Sequence, residues 1–441
     1  MDVVATTELE MQSLERETIR RITWRLLPLL MLGYFCAYLD RVNVGMAALT
    51  MNKQLGFSNA VFGFGAGLFF LGYFVGEIPS NLILNVVGAR RWIARIMVSW
   101  GIVAGLTAFI WNDWSFYGVR FVLGLAEAGL YPGVMLYLYW WVPARHLSRM
   151  MGIFMSGNMV SNIIGPPISG LLLRLDGAMG LAGWQWLFLL ETLPSLIMAV
   201  VIWNLLTDQP ADASWLTQEQ KTWLVERLAA ERAQREAVRK YTLAEAFYNP
   251  KLWLLTVANF GIIVGIYAIV VFLPMIVRGL GVPTNWIGSV SALPFIFALI
   301  GTICWGWHSD RAGERTWHIA VPWLFCAGGM GAGIVIGVGH PVLTMVALIV
   351  ATTGLWSGNS VFWSLPGALL TGTAAAGGIA MMNAVGNLGG WLAPWVFGLV
   401  KDATGSDSVP LLCLAVAPVV AVIAVIAVCR DRNLGRIQPR E

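Results

Sequence analysis

The sequence predicts an all-α integral membrane protein, with twelve transmembrane helices in two pseudo-symmetric six-helix bundles. Three observations predict it: a scarcity of charge, twelve long apolar runs, and a one-sided distribution of basic residues. Of 441 residues, 58% are hydrophobic and only 12% are Asp, Glu, Lys or Arg. A soluble domain carries about 25% charged residues. Mean hydropathy is +0.71. So few charges do not cover a water-soluble fold. A disordered chain, a secreted disulfide scaffold and a nucleic-acid binder fit no better.

Crossing a ~30 Å hydrocarbon core takes about 20 apolar residues at 1.5 Å each. Runs of that length fall at 25–49, 60–85, 90–110, 115–141, 149–174 and 184–206 in the first half. The second half adds 252–277, 285–307, 317–338, 341–364, 373–400 and 408–429. Glu8, Glu10, Glu15 and Glu17 stand among the early basic residues. That is not the charge pattern of a secretory signal, so the first run is expected to stay as a span. Glycine is abundant (48 residues), and the pairs Gly63/Gly67 and Gly72/Gly76 have the spacing that lets helices approach closely in lipid. No glycine-rich run ends in the Lys-Ser/Thr of a phosphate loop. Cys36, Cys304, Cys326, Cys413 and Cys429 match no metal or disulfide spacing and read as small hydrophobes.

Basic residues set the orientation. With both termini placed in the cytoplasm, 22 of the 28 Lys and Arg fall on the cytoplasmic side and four (Lys53, Arg174, Arg278 and Lys401) on the other. Arg41 and Arg120 lie inside spans. The +4 net charge is therefore mostly topology. The chain divides into an N-terminal segment 1–24, a bundle 25–207, a polar connector 208–250, a second bundle 251–430 and a tail 431–441. The connector carries a helical pattern around Leu224 and Leu228; its basic face reads as solvated or as touching anionic lipid. A faint repeat links Asn85 to Arg91, after span 2, with Gly306 to Arg315, after span 8. Two similar halves imply rocking around a midplane site.

Ionisable groups at bilayer depth cost roughly 2.5–3.5 kcal/mol each and read as functional by default. They are Asp40 and Arg41 in span 1, Glu77 in span 2, Arg120 and Glu127 in span 4, and Glu191 in span 6. Spans 7–12 have none away from their ends. The coupling machinery is therefore expected in the first bundle. Arg120 and Glu127 share a helix face, but two turns separate them, so each needs another partner. Asp40 and Arg41 point about 100° apart and address different neighbours. A static ion network between spans 1 and 4 is one reading. The other is that guanidinium forks bind an anionic substrate, and a desolvated carboxylate exchanges a proton. Glu77 reads equally as a coupling acid or a structural one, and Glu191 as structural. Asn359, Ser360, Trp363, Asn383 and Asn387 are polar or amphipathic groups inside spans 10 and 11. Most of the 22 tryptophans read as interfacial belts.

These residues carry a resemblance. Tyr38-Leu-Asp40-Arg41-Val-Asn43, Gly-Glu77-Ile-Pro79-Ser-Asn81, Gly88-Ala-Arg90-Arg91 and Arg120-Phe-Val-Leu-Gly124-Leu-Ala-Glu127-Ala-Gly129-Leu-Tyr-Pro132-Gly133 are the main marks. Gly183-Trp-Gln-Trp186, Asp310-Arg311-Ala-Gly313 and Gly386-Asn387-Leu-Gly389-Gly390 complete them. With these, the sequence resembles the major facilitator superfamily, and within it the anion:cation symporters, over about 25–430. Leu370-Thr-Gly-Thr-Ala-Ala-Ala-Gly-Gly378 is similar to the tartrate and phthalate branch.

The resemblance implies proton-coupling acids at Asp40 and Glu127 and anion recognition by Arg41 and Arg120. It implies that Tyr73, Ser360, Trp363 and Asn383 line the site. The family's span-5 Gln position holds Asn158 here, a shorter amide. Gating loops are implied at Arg90 and Arg91 and at Asp310 and Arg311, with Asn85 replacing the usual acid of the first. No cofactor is implied beyond the proton as coupling ion. The expected partners are a small organic anion and membrane lipid, in a monomer of the cell inner membrane. The resulting expectation is proton-coupled uptake of a small carboxylate such as tartrate, phthalate, hydroxyphenylacetate or a sugar acid. An antiporter or exporter is the alternative, since Gly157 to Pro166 is similar to an antiporter signature. An enzyme is disfavoured, because His146, His308, His318 and His340 form no metal spacing or nucleophile pair. A non-transporting sensor is disfavoured by the presence of both coupling acids.

Overall fold

The computed structural model describes residues 2–237, 248–337, 339–366, 372–406 and 408–430. The tail 431–441, part of the connector, and Leu370 and Thr371 of the branch motif lie outside the described residues. Helices α1 (Asp2–Leu55), α2 (Asn59–Val87), α3 (Ala89–Leu106), α4 (Asp113–Glu127), α5 (Leu130–Trp141), α6 (Ala144–Leu172) and α7 (Gly183–Leu205) form the first bundle. The connector contributes α8 (Gln218–Ala237). Helices α9 (Pro250–Gly279), α10 (Thr284–Ala312), α11 (Thr316–Ile336), α12 (Pro341–Phe362), α13 (Gly372–Thr404) and α14 (Ser408–Cys429) form the second. Among the described residues, nine helical segments are long and apolar enough to cross a membrane, with α4 and α5 counted as one. Helices α6, α11 and α13, of 29, 21 and 33 residues, complete the twelve spans.

Local chemistry sets the helix ends. Ser58 Oγ accepts from Val61 N at 3.1 Å and starts α2. Asn112 and Ser115 form a reciprocal capping box at α4. Asn249 caps α9, whose first residue is Pro250. Helix α1 is continuous from Asp2, so the N-terminal segment extends the first span's helix. Span 4 is broken: Glu127 ends α4, and Gly129 (φ 88°) turns the chain into α5. A Cβ on Gly129 would also lie 2.2 Å from Ser80 Oγ.

Within the first bundle α1 packs on α6 and α7, α2 on α4, and α3 on α7. Within the second, α9 packs on α13 and α14, and α12 on α10 and α11. The bundles meet along α2 and α13, α6 and α10, and α1 and α9. The two glycine pairs of α2 serve different contacts. Added Cβ atoms on Gly63 and Gly67 would lie 2.0 Å from Pro394 O and 2.6 Å from Trp391 O, across the bundle interface. On Gly72 the same atom would lie 2.1 Å from Phe121 O, inside the first bundle.

Eight of the 22 tryptophans are exposed, and Trp100, Trp141, Trp184 and Trp323 are fully buried, so a belt accounts for fewer of them than the sequence suggests. Trp24, Trp307 and Trp317 are exposed toward the end that carries the termini, and Trp111, Trp114 and Trp286 toward the other. The connector docks under the first bundle. Leu224 is fully buried, and Trp215 stacks on Trp141 at 5.5 Å. Glu231 Oε2 accepts from Ala144 N at 3.0 Å.

At the end away from the termini the bundles are cross-linked. Asp402 Oδ2 accepts from Ala60 N at 2.7 Å, and its Oδ1 from Asn59 N at 3.2 Å and Asn59 Nδ2 at 2.7 Å. Arg278 Nη1 donates to Leu49 O at 2.8 Å, and Arg174 Nη2 to Asn285 O at 3.2 Å.

Candidate functional site

Adjacent positions on α1 send two opposite charges in different directions, as the 100° step requires. Arg41 points to the bundle interface. It donates from Nε at 2.8 Å and from Nη2 at 2.5 Å to Glu127 Oε1. Its Nη1 donates to Tyr267 Oη of the second bundle at 3.3 Å. Three rings surround the guanidinium: Tyr38 at 4.9 Å, Phe69 at 5.1 Å and Tyr73 at 5.2 Å. Such rings attract a cation through their negative faces. Arg41 is thus a cation held by one carboxylate, one phenol and an aromatic cage.

Asp40 points into the first bundle. Trp100 Nε1 donates to its Oδ2 at 2.6 Å, Ser195 Oγ at 3.4 Å, and Asn43 Nδ2 to its Oδ1 at 3.4 Å. No cation lies within 4 Å of it among the described residues, and it is 2% exposed. A buried carboxylate held only by neutral donors is a costly arrangement when ionised.

Glu127 sits at the break in span 4, so the chain turn fixes its position opposite Arg41. Its Oε2 is buried without a partner. Arg120, two turns earlier, makes no ion pair among the described residues. Its Nη2 donates to Ala66 O at 3.3 Å, it lies 5.2 Å from the Phe69 ring, and its Nε is unpartnered. The expected exchange of partners between spans 1 and 4 is therefore half formed: Arg41 pairs with Glu127, but Asp40 does not reach Arg120. Trp100 and Ser195 take the carboxylate instead.

A second polar link crosses the interface nearer the termini. Asn383 Nδ2 donates to Glu77 Oε1 at 3.3 Å, and Glu77 Oε2 is unpartnered. Asn158 accepts from Asn162 Nδ2 at 2.9 Å, and among the described residues no hydrogen bond joins it to the Arg41 cluster. Ser360 donates to Ser357 O at 2.8 Å, a bond within its own helix. Trp363 ends α12, 5.9 Å from the ring of Phe362. Among the described residues no hydrogen bond or ring contact joins Ser360 or Trp363 to Arg41. Glu191 accepts from Ser169 Oγ at 2.6 Å, a contact within the first bundle.

The gating loops differ from each other. Arg90 pairs with Asp208, which accepts from Arg90 N at 2.8 Å and lies 3.7 Å from Arg90 Nε. The acid missing at Asn85 is thus replaced from the chain just beyond α7. Arg91 is exposed. In the second loop Arg311 stacks on Trp307 at 3.7 Å, and Asp310 is exposed and unpaired among the described residues.

Sequence reasoning missed Tyr267, Trp100 and Asp208. The first was the most legible: it is the one hydroxyl in the apolar run from Gly261 to Val277.

Twelve spans in two bundles, with a buried charge cluster at their interface, define a membrane transporter. The Major Facilitator Superfamily family model matches residues 30–394, and the chain belongs to that superfamily. It is a multi-pass transporter of small molecules and not an enzyme. The chain is 45% identical to a protein of Agrobacterium vitis named for tartrate transport, over 95% of this chain and 92% of that one. It is 38% identical to a quinolone resistance transporter of Acinetobacter baumannii, over 91% and 92%. Among solved structures, a bacterial homologue of the human lysosomal transporter Spinster shares the fold. The TM-score is 0.76 at 16% identity, covering 95% of this chain and 99% of that one.

Proposed function

We propose that this transporter carries a small organic carboxylate, tartrate or a close analogue, together with protons by alternating access. The observation that carries the reading is the Arg41 guanidinium at the bundle interface, neutralised by Glu127 and tethered to Tyr267. A substrate carboxylate competes with Glu127 for the same fork, because two N–H groups match two carboxylate oxygens. Glu127, buried and released, then takes up a proton, since an uncompensated buried charge costs several kcal/mol. Anion binding and proton binding are in this way one exchange at one arginine. Asp40 is the second proton site, held by neutral donors. Arg120 adds positive potential, and Tyr73 packs against the guanidinium.

With the termini in the cytoplasm of a bacterial inner membrane, the Asp402 contacts lie on the outer side. The structure then represents a state closed to the outside. Opening outward breaks those contacts and the tie from Arg41 to Tyr267. The relative named for tartrate transport supports the carboxylate class.

The similarity to a quinolone resistance transporter favours a second reading, export in exchange for protons. Proteoliposomes separate the two. Under an inward proton gradient, uptake predicts inward accumulation of labelled tartrate, and antiport predicts outward movement from preloaded vesicles. Thermal shifts against a panel of small carboxylates identify the substrate class, since a ligand of the native state raises apparent stability.

A further inference from the structure

A cleft of about 470 Å³ opens between the start of α1 and the start of α6, on the face that carries the termini. It is remote from the Arg41 cluster, and nothing in the proposed transport cycle uses it. One helical stripe of α1 lines it through Arg16, Arg20 and Trp24, and one of α6 through Arg149 and Ile153. The spacing is four residues in each stripe, so both present one face to the cleft. Glu15 is spent on His146, at 2.7 Å, and on Arg145, at 3.9 Å. Arg16, Arg20 and Arg149 are exposed and form no ion pair among the described residues. Three uncompensated guanidiniums therefore converge on one concave space.

We infer that this cleft binds the phosphate headgroup of an anionic phospholipid. Trp24 in its lining points to a lipid as the source of the phosphate. Trp24 is 76% exposed at the start of the first apolar run, where an indole marks the headgroup level. Ile19, Met150 and Ile153 give the lining an apolar side. A phosphate meets the arginines while the acyl chains follow the apolar wall, the arrangement of basic pockets that bind anionic lipid.

Native mass spectrometry of the purified full chain tests the site with phosphatidylglycerol, with phosphatidylcholine and with inorganic phosphate alone. The expected result is retention of phosphatidylglycerol over phosphatidylcholine. At roughly fivefold per charge, the triple variant Arg16→Gln, Arg20→Gln, Arg149→Gln weakens retention on the order of 100-fold. The exposed single variants Arg16→Gln and Arg149→Gln each weaken it about fivefold and keep the fold intact. The control Arg311→Gln, Arg315→Gln, on the same face, retains wild-type binding. Equal loss in the control, unchanged retention in the triple variant, or equal binding of inorganic phosphate would each overturn the assignment.

Discussion

Arg41 gives two of its N–H groups to a single oxygen of Glu127, leaving Glu127 Oε2 buried and unpartnered. The pair joins spans 1 and 4 within one bundle, yet the same guanidinium reaches across to Tyr267 in the other. Charge neutralisation and the bundle interface therefore share one side chain. A static ion pair has no need of that third contact. The proposed exchange at Arg41 would carry site occupancy to the interface through it.

Lysine at position 41 keeps the charge and loses the fork. Arg41→Lys is expected to lower kcat/KM for the carboxylate by about 100-fold or more, because the two-point contact to a carboxylate cannot form. Initial rates of tartrate uptake across a concentration series check this. A fall of less than about threefold would make Arg41 a spectator.

Tyr267→Phe removes one hydroxyl and keeps the ring. The lost hydrogen bond, long at 3.3 Å but to a charged donor, is worth roughly tenfold, the low end for such bonds. Transport is expected to persist with a moderate change in KM. The fraction of molecules open on the side away from the termini is expected to rise. Distances between spin labels at the ends of α2 and α13 away from the termini report that fraction.

The same distances test the close approach of α2 to α13. A Cβ on Gly63 would lie 2.0 Å from Pro394 O, which no side-chain rotation relieves. Gly63→Ala is expected to push the two helices apart and reduce the population packed at this face. Gly118→Ala is the control, since its Cβ would meet nothing within 4 Å.

Partial burial works against the Asp402 carboxylate. Donation from the Asn59 side chain and from the backbone of Ala60 and Asn59 nonetheless holds it below the usual carboxylate range. A group lowered in the folded state contributes its stabilisation above its unfolded pKa, about 3.9, and loses it as pH falls through the folded value. The cross-bundle cap is therefore expected to be fully present from pH 5 to pH 8. Any pH dependence of transport in that window then arises elsewhere. Asp402→Asn removes the charge and one acceptor, and is expected to raise the open fraction at every pH in the window. An effect of that variant only below pH 5 would contradict the assignment.

The fold was legible because its causes are local. Apolar runs act within a single helix, and the basic-residue bias acts in the short loops that flank one. The charged part of the site was legible for a similar reason: Asp40, Arg41, Arg120 and Glu127 stand out in lipid. What the sequence did not disclose is pairing. Asp40 goes to Trp100 and not to Arg120, whose guanidinium donates to Ala66 O instead. Tyr267 resembles any aromatic in an apolar span until the second bundle is placed. Asp208 and Asp402 stand at span ends, where a charge is ordinary, and only the tertiary fold brings each to a helix start. The break at Gly129 was hidden among 48 glycines.

Exchange at Arg41 between substrate and Glu127 is the central step of the proposed cycle. Its most direct test is labelled tartrate in proteoliposomes, comparing wild type with Glu127→Gln under an imposed inward proton gradient and in gradient-free counterflow. Wild type is expected to accumulate substrate against its concentration gradient. Glu127→Gln is expected to keep counterflow exchange and lose gradient-driven accumulation. Undiminished accumulation by Glu127→Gln would contradict the account.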